Sequence, residues 1–323
     1  MIRPSRQSLL AVCSLALAAL GIAAVADTAV GVVSRPKSNP TIRAAGARIT
    51  VTDDFGHRVT APYPPRRIVS LAPGATAMLL AAGAGRQLVG TIEYSGQPAS
   101  EKGLPKIGTA DAIDMERLLA LKPDVVVVWP DGNNPAQIAT IERLGIPVYR
   151  QEAVTLDGVA ESLRRLGMLT GTGAQAQEQA RALRAKLASL RRRYATAKDP
   201  PTAFLEVWDR PLYTVGGREL MSDALRTCGV RNVFADLPQR APAIGIEAVI
   251  ARNPDIIIAA PPPGAGSSWL EEWQRFPSLR AVRAGRLLVF EDQALSGLGP
   301  GIIDATAAMC RRIAALMAPV RPK

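Results

Sequence analysis

The phrase "ERLLALKPDVVVVWP" runs from Glu116 to Pro130 and returns as "EAVIARNPDIIIAAP" from Glu247 to Pro261. Glu, Ala, Pro, Asp and the closing Pro recur in register at a constant offset of 131 residues. Proline disfavours helix at the residue before it, so each copy reads as a short helix stopped at "KPD" or "NPD". The apolar run that follows is typical of a parallel strand covered on both faces. One helix–turn–strand phrase written twice at this distance predicts two similar α/β halves. The phrase is common in α/β proteins, so coincidence remains open at this point.

The chain around the first copy keeps the alternation. "RITVTD" and "HRVTAP" flank "DFG", a hairpin signal. "RIVSLAP" is a buried strand, "GATAMLLAAGAG" a helix stopped by glycine, and "QLVGTIEYS" another strand. Asp114 can cap the helix holding Glu116, and "NPAQIATIERLGI" and "PVYRQE" add a helix and a strand. Alternating βαβα implies a parallel sheet.

The pattern then changes. "LDGVAESLRRLGMLTG" is one helix, and "AQAQEQARALRAKLASLRRRYATA" is a longer one with Leu183, Leu187, Leu190 and Tyr194 along one face. At about 1.5 Å per residue the second reaches about 35 Å, which suits a strut between lobes. After "KDPPT" the alternation resumes through "AFLEVWD", "ELMSDALRTCG", "DIIIAAPPP", "GRLLVFED" and "IIDATAAMCRRIAALMA". The expected organisation is a signal peptide at 1–26 and a flexible linker at 27–47. An N-terminal α/β lobe at 48–155, linking helices at 156–198 and a C-terminal α/β lobe at 199–319 follow.

The signal peptide rests on Arg3 and Arg6, the apolar run from Leu9 to Val25, and Ala24-Val25-Ala26 at its end. A membrane anchor is the alternative, although 17 residues is short for a span. Cys13 as a lipid attachment site fits less well, because Val12 stands where a small residue is wanted. Without Arg3 and Arg6 the net charge falls from +11 to +9. The basic residues are spread along helices such as "RALRAKLASLRRRY" with no interleaved aromatics, so a solvated face is preferred over nucleic-acid binding. Once the signal is removed, Cys228 and Cys310 remain, and in an exported chain an even pair predicts a disulfide.

For an enzyme the sequence is poor. It has one histidine, His57, beside the hairpin turn. It has no phosphate-binding loop, dinucleotide fingerprint, nucleophile elbow or metal-spaced His/Cys cluster. Asp53 and Asp54 are adjacent on a strand and face opposite sides, which is poor geometry for a catalytic pair. The reading is a binding protein with no catalytic residue, no metal site and no cofactor. In α/β lobes ligands meet the loops at the carboxyl ends of strands. Those positions hold Pro73, Tyr94, Trp129, Asp131, Asn133, Trp208, Tyr213 and Gln293. Two Trp and two Tyr among them point to a flat or bulky apolar guest. Core packing is the competing role for Trp129 and Tyr213.

"VTDDFGHRVTAPYPPRRIVSLAPGATAMLLAAG", "LVGTIEYSGQP", "IGTADAIDMERLLALKPDVVVVWPDGN" and "YTVGGRELMSDALRTCGVRNVF" resemble class III periplasmic solute-binding proteins of ABC importers. The cobalamin (vitamin B12) group is the nearest in pattern. The resemblance implies two Rossmann-like lobes joined by one long helix, the helical-backbone metal receptor type. It implies a monomer in the periplasm that hands a tetrapyrrole-like ligand to a permease dimer. It places the family's disulfide on Cys228 and Cys310, and its two permease-docking glutamates on Glu116 and Glu247. Tyr94, Trp129 and Tyr213 fall on aromatic contact positions, whereas Ala110, Ala241, Gln293 and Gly297 stand where the family has tryptophans, an acid and an arginine. Trp208 is the candidate for the missing ring. Haem or a ferric siderophore is the alternative guest, with Tyr94 as a candidate axial ligand.

Overall fold

The computed structural model describes residues 46–94, 101, 103–194, 199–262, 264, 266–297 and 299–318. The expected signal peptide, nearly all of the expected linker and the last residues of the linking segment lie outside the described residues. Two separate parallel sheets organise the rest. An antiparallel hairpin, β1 (Arg48–Thr52) and β2 (Arg58–Pro62), precedes them, in register from Arg48↔Pro62 to Thr52↔Arg58.

The first sheet contains β3 (Ile68–Ser70), β4 (Leu88–Thr91), β5 (Val125–Val128) and β6 (Val148–Arg150) in the order β4-β3-β5-β6. Helices α1 (Pro73–Ala81), α2 (Met115–Ala120) and α3 (Pro135–Arg143) connect its strands. Helices α4 (Leu156–Thr170) and α5 (Gly173–Tyr194) follow.

The second sheet contains β7 (Thr202–Trp208), β8 (Tyr213–Thr214), β9 (Arg231–Asn232), β10 (Ile256–Ala259) and β11 (Leu287–Val289). Its helices are α6 (Leu220–Thr227), α7 (Ile246–Arg252), α8 (Ser268–Gln274), α9 (Arg280–Arg283), α10 (Gln293–Ser296) and α11 (Ile302–Met317). The parallel path β9-β7-β10-β11 repeats β4-β3-β5-β6, with antiparallel β8 added on the β7 edge. Helices α9 and α10 are single turns that the sequence pattern does not announce. The strand expected through "QLVGTIEYS" is only Leu88–Thr91.

The repeated phrase now has a structural cause. Each copy folds as a short helix, a left-handed residue and a buried strand. The left-handed residues are Lys122 (φ 45°) and Asn253 (φ 42°), which occupy the same place in the two copies. A non-glycine residue there is uncommon, and asparagine tolerates it better than lysine. The aspartates that follow do the same work twice. The Asp124 carboxylate accepts the backbone N–H groups of Arg66 (2.7 Å) and Arg67 (3.0 Å), just before β3. Asp255 accepts the N–H (2.8 Å) and hydroxyl (2.8 Å) of Thr202 at the start of β7. Each copy thus fixes the neighbouring first strand of its sheet. Strands β5 and β10 are buried on both faces. Val125, Val127, Ile256 and Ile258 enter one continuous apolar core, while Val126, Val128, Ile257 and Ala259 face two outer cores.

That continuous core joins the halves. Leu163 and Leu166 of α4 and Ala180 and Leu187 of α5 belong to it together with Val127 and Ile258. Thr155 caps α4 through a hydroxyl that accepts the Gly158 N–H, and Gly171 ends it in the left-handed region. The 22 residues of α5 give about 33 Å of rod. Arg191 pairs with Asp157 at 2.7 Å, and Asp223 of α6 accepts the backbone N–H of Leu156 at 2.8 Å. Apolar packing through the strut sets the relation of the lobes. Cys228, at the end of α6, is bonded to Cys310 of α11 as the cysteine count predicts.

Asp53 and Asp54 follow the end of β1, outside the strand, and both are structural. Asp53 accepts the N–H groups of Phe55 (2.9 Å) and His57 (2.8 Å) inside the hairpin. Asp54 accepts the Ser162 hydroxyl (2.6 Å) and the Glu152 N–H (3.0 Å), tying hairpin, β6 and α4 together. Burial pushes its carboxyl up to about 6, against the pull of Ser162 and Arg165.

Candidate ligand-binding cleft

The carboxyl ends of the two sheets face each other. Asp131 and Glu152, in the loops after β5 and β6, are reached by Arg240 of the C-terminal half. Trp129 follows β5. A Cβ at Gly132 would lie only 2.0 Å from its six-membered ring, so the ring lies flat on that glycine. Its indole N–H donates to Glu152 at 2.9 Å, and its backbone N–H donates to Asn133 Oδ1 at 2.8 Å. The ring is partly buried against the continuous core, which leaves one part packed and one part presented.

Asn133 requires a correction to the ligand-contact expectation. It is 3% exposed, and its amide nitrogen donates to the carbonyls of Leu71 (2.8 Å) and Ala110 (2.9 Å). Its amide therefore clamps three strand-end loops together, and its N–H groups are not open to a guest. Pro73 is the half-buried first residue of α1. Tyr94 follows β4, and its phenol donates to the buried Glu101 carboxylate at 2.7 Å. Burial, then that hydrogen bond, holds the phenol well above its ordinary range.

On the opposite side, Trp208 and Tyr213 are cross-strand partners in the β7–β8 pair. Trp208 is 48% exposed, an unusual state for so large a ring, and meets Trp269 edge-on at 6.2 Å. It shares a cavity of about 330 Å³ with Met221, Pro261, Phe290 and Gln293. Trp208, at the end of β7, and Gln293, the first residue of α10, are thus brought together. Glu116 and Glu247 stand elsewhere, each exposed as the second residue of its helix.

The strand-end rule as applied to the sequence missed Glu152, Glu219 and Arg240. Glu152 follows β6 and was legible by the same rule. Arg240 was not, because its loop is placed by tertiary contact. The loop runs against β8, with the N–H groups of Gly216 and Thr214 donating to the carbonyls of Arg240 (2.8 Å) and Pro242 (3.1 Å). A Cβ at Gly216 would lie 1.9 Å from the Gln239 carbonyl oxygen, so "TVGG" is a backbone contact site.

Below Trp208 a second cavity of about 540 Å³ is lined by Glu206, Asp209, Trp269 and Trp273. Glu206 is 2% exposed and accepts the Trp273 indole N–H at 2.7 Å. Burial, the largest influence, pushes its carboxyl from 4.5 up to about 7. The fold favours the protonated form, so stability is fullest below pH 4.5 and falls as pH rises to about 7. Glu206→Gln keeps the acceptor and removes the charge. It is expected to raise stability at pH 8 by on the order of 3 kcal/mol and to change little at pH 4.5. Urea unfolding at both pH values checks this, and an equal effect at both would refute it.

Residues 68–294 match the model of a family described as periplasmic binding protein. The chain is 31% identical over 249 residues to a vitamin B12-binding protein of Vibrio cholerae, covering 77% of this chain and 89% of that one. The solved structure of the Vibrio cholerae periplasmic vitamin B12-binding protein superposes with a TM-score of 0.70, over 79% of this chain and 99% of that one. A periplasmic heme-binding protein from Pseudomonas aeruginosa gives 0.66 at 25% identity, over 80% and 95%. The two-lobed α/β architecture, the linking helices and the family pattern agree, and the chain belongs to the periplasmic binding protein family.

Proposed function

We propose that the chain is the periplasmic receptor of an ABC importer that captures cobalamin or a related corrinoid between its lobes. The observation that carries this reading is Trp129, a ring laid on Gly132, fixed by Glu152 and presented at the carboxyl end of β5. Trp208 offers a second, half-exposed ring from the other sheet. The likeness to vitamin B12-binding proteins over most of both chains supports the same guest. Export rests on the signal at 1–26, and protein recovered from the periplasm is expected to have lost that mass. Glu116 and Glu247 present one carboxylate per half to a two-fold permease.

Haem is the second reading, and Tyr94 is its candidate axial ligand. Its phenol donates to Glu101 at 2.7 Å, and iron would displace that proton on binding. His57, the one histidine, is exposed beside Asp53 in the hairpin, away from the strand ends.

Calorimetric titration with cyanocobalamin tests the proposal. The wild type is expected to bind, and Trp129→Ala to bind about 2 kcal/mol more weakly, roughly 30-fold. Absence of heat with micromolar wild-type protein sinks the cobalamin reading. A Soret band appearing after incubation with hemin would put haem in its place.

A further inference from the structure

The chain carries a net charge of +11, yet the meeting point of its two sheets is acidic. Among the described residues Arg240 reaches it from the C-terminal half, and three carboxylates surround its guanidinium. Its Nη1 donates to Asp131 Oδ2 at 2.8 Å and contacts Glu152 Oε1. Its Nη2 donates to Glu219 Oε1 at 3.1 Å. The Glu152 side chain is 2% exposed and that of Glu219 10% exposed. Burial leaves the field of Glu152 poorly screened by solvent and pushes the Glu219 carboxyl up, toward its neutral form. Behind Glu152 stands a fourth acid, Asp54, which accepts its N–H at 3.0 Å. Arg165 pairs with Asp54 at 3.5 Å, and Arg150 pairs with Glu142 at 2.5 Å. Arg218, beside Glu219 in the chain, is exposed. Glu152 also holds the Trp129 indole, so this charge cluster adjoins the ring that would stack on the guest.

We infer that the cleft selects its guest by charge. Asp131, Glu152 and Glu219 around Arg240 admit a neutral or cationic corrinoid edged with amides and disfavour a ring edged with free carboxylates. The inference rests on the corrinoid reading and extends it to a discriminating property. Amide edges supply N–H donors to carboxylate acceptors. A guest carboxylate meets surplus negative charge, because the Arg240 guanidinium is already shared three ways. Two like charges roughly 12 Å apart in an effective dielectric of about 20 repel enough for about a tenfold change in binding.

The test compares cyanocobalamin with its monocarboxylic acid, in which one side-chain amide is hydrolysed. The ring and metal are the same, and one charge differs. The wild type at low salt is expected to bind the acid about tenfold more weakly, with the gap closing as salt is added. Glu152→Gln, which keeps an acceptor for the Trp129 indole, and Asp131→Asn, at an exposed position, are each expected to narrow the gap. Arg240→Gln is expected to widen it. Equal binding of both guests to the wild type overturns the charge inference and leaves the corrinoid reading standing. Failure of both guests to bind overturns the corrinoid reading and this inference with it.

Discussion

Glu116→Arg combined with Glu247→Arg is expected to abolish uptake while ligand affinity stays where it was. Both glutamates are exposed, and both stand second in a short helix at the same place in the repeated phrase. Neither forms an ion pair among the described residues, so reversal breaks no observed contact. The loss of a favourable helix-dipole position costs only about 0.3–1 kcal/mol at each site. Docking is a different matter. A two-fold partner that offers a cation to each lobe meets repulsion at both ends after reversal, and like charges across an interface cost several kcal/mol. Uptake of labelled cobalamin by cells carrying the double variant, measured beside calorimetry on the purified variant, separates docking from binding. Normal transport by the double reversal removes the docking role.

Replacing both half-cystines, Cys228→Ala with Cys310→Ala, is expected to lower folding stability by about 4 kcal/mol. The bond spans 82 residues of sequence and closes α6 onto α11. Constraint of the unfolded chain grows with loop length, and this loop takes in β9, β10 and β11. Both positions are buried, so alanine adds no unpaired polar group. Urea unfolding of the oxidised wild type against the double variant reads the difference. An unchanged midpoint would show that the packing of α6 on α11 suffices without the bond.

Much of this was legible in the residues. The offset of 131 residues predicts two equivalent halves, and the sheet orders β4-β3-β5-β6 and β9-β7-β10-β11 match it. Asp114 as a helix cap, the hairpin about "DFG" and the linking helices rest on local rules, and local chemistry decides them, whereas the cysteine pair, 82 residues apart, was legible from its count alone. Asn133 illustrates the limit. Its position after a strand is visible in sequence, but its commitment to Leu71 and Ala110 depends on loops 62 and 23 residues away.

The sequence by itself determined the periodic elements, their duplication and the aromatic strand ends, because spacing and residue type act over a few neighbours. Only the tertiary structure decided that Arg240 meets Asp131 and Glu152 from across the lobes. Ion pairing depends on distance in space, and a separation of 109 residues along the chain carries no trace of it.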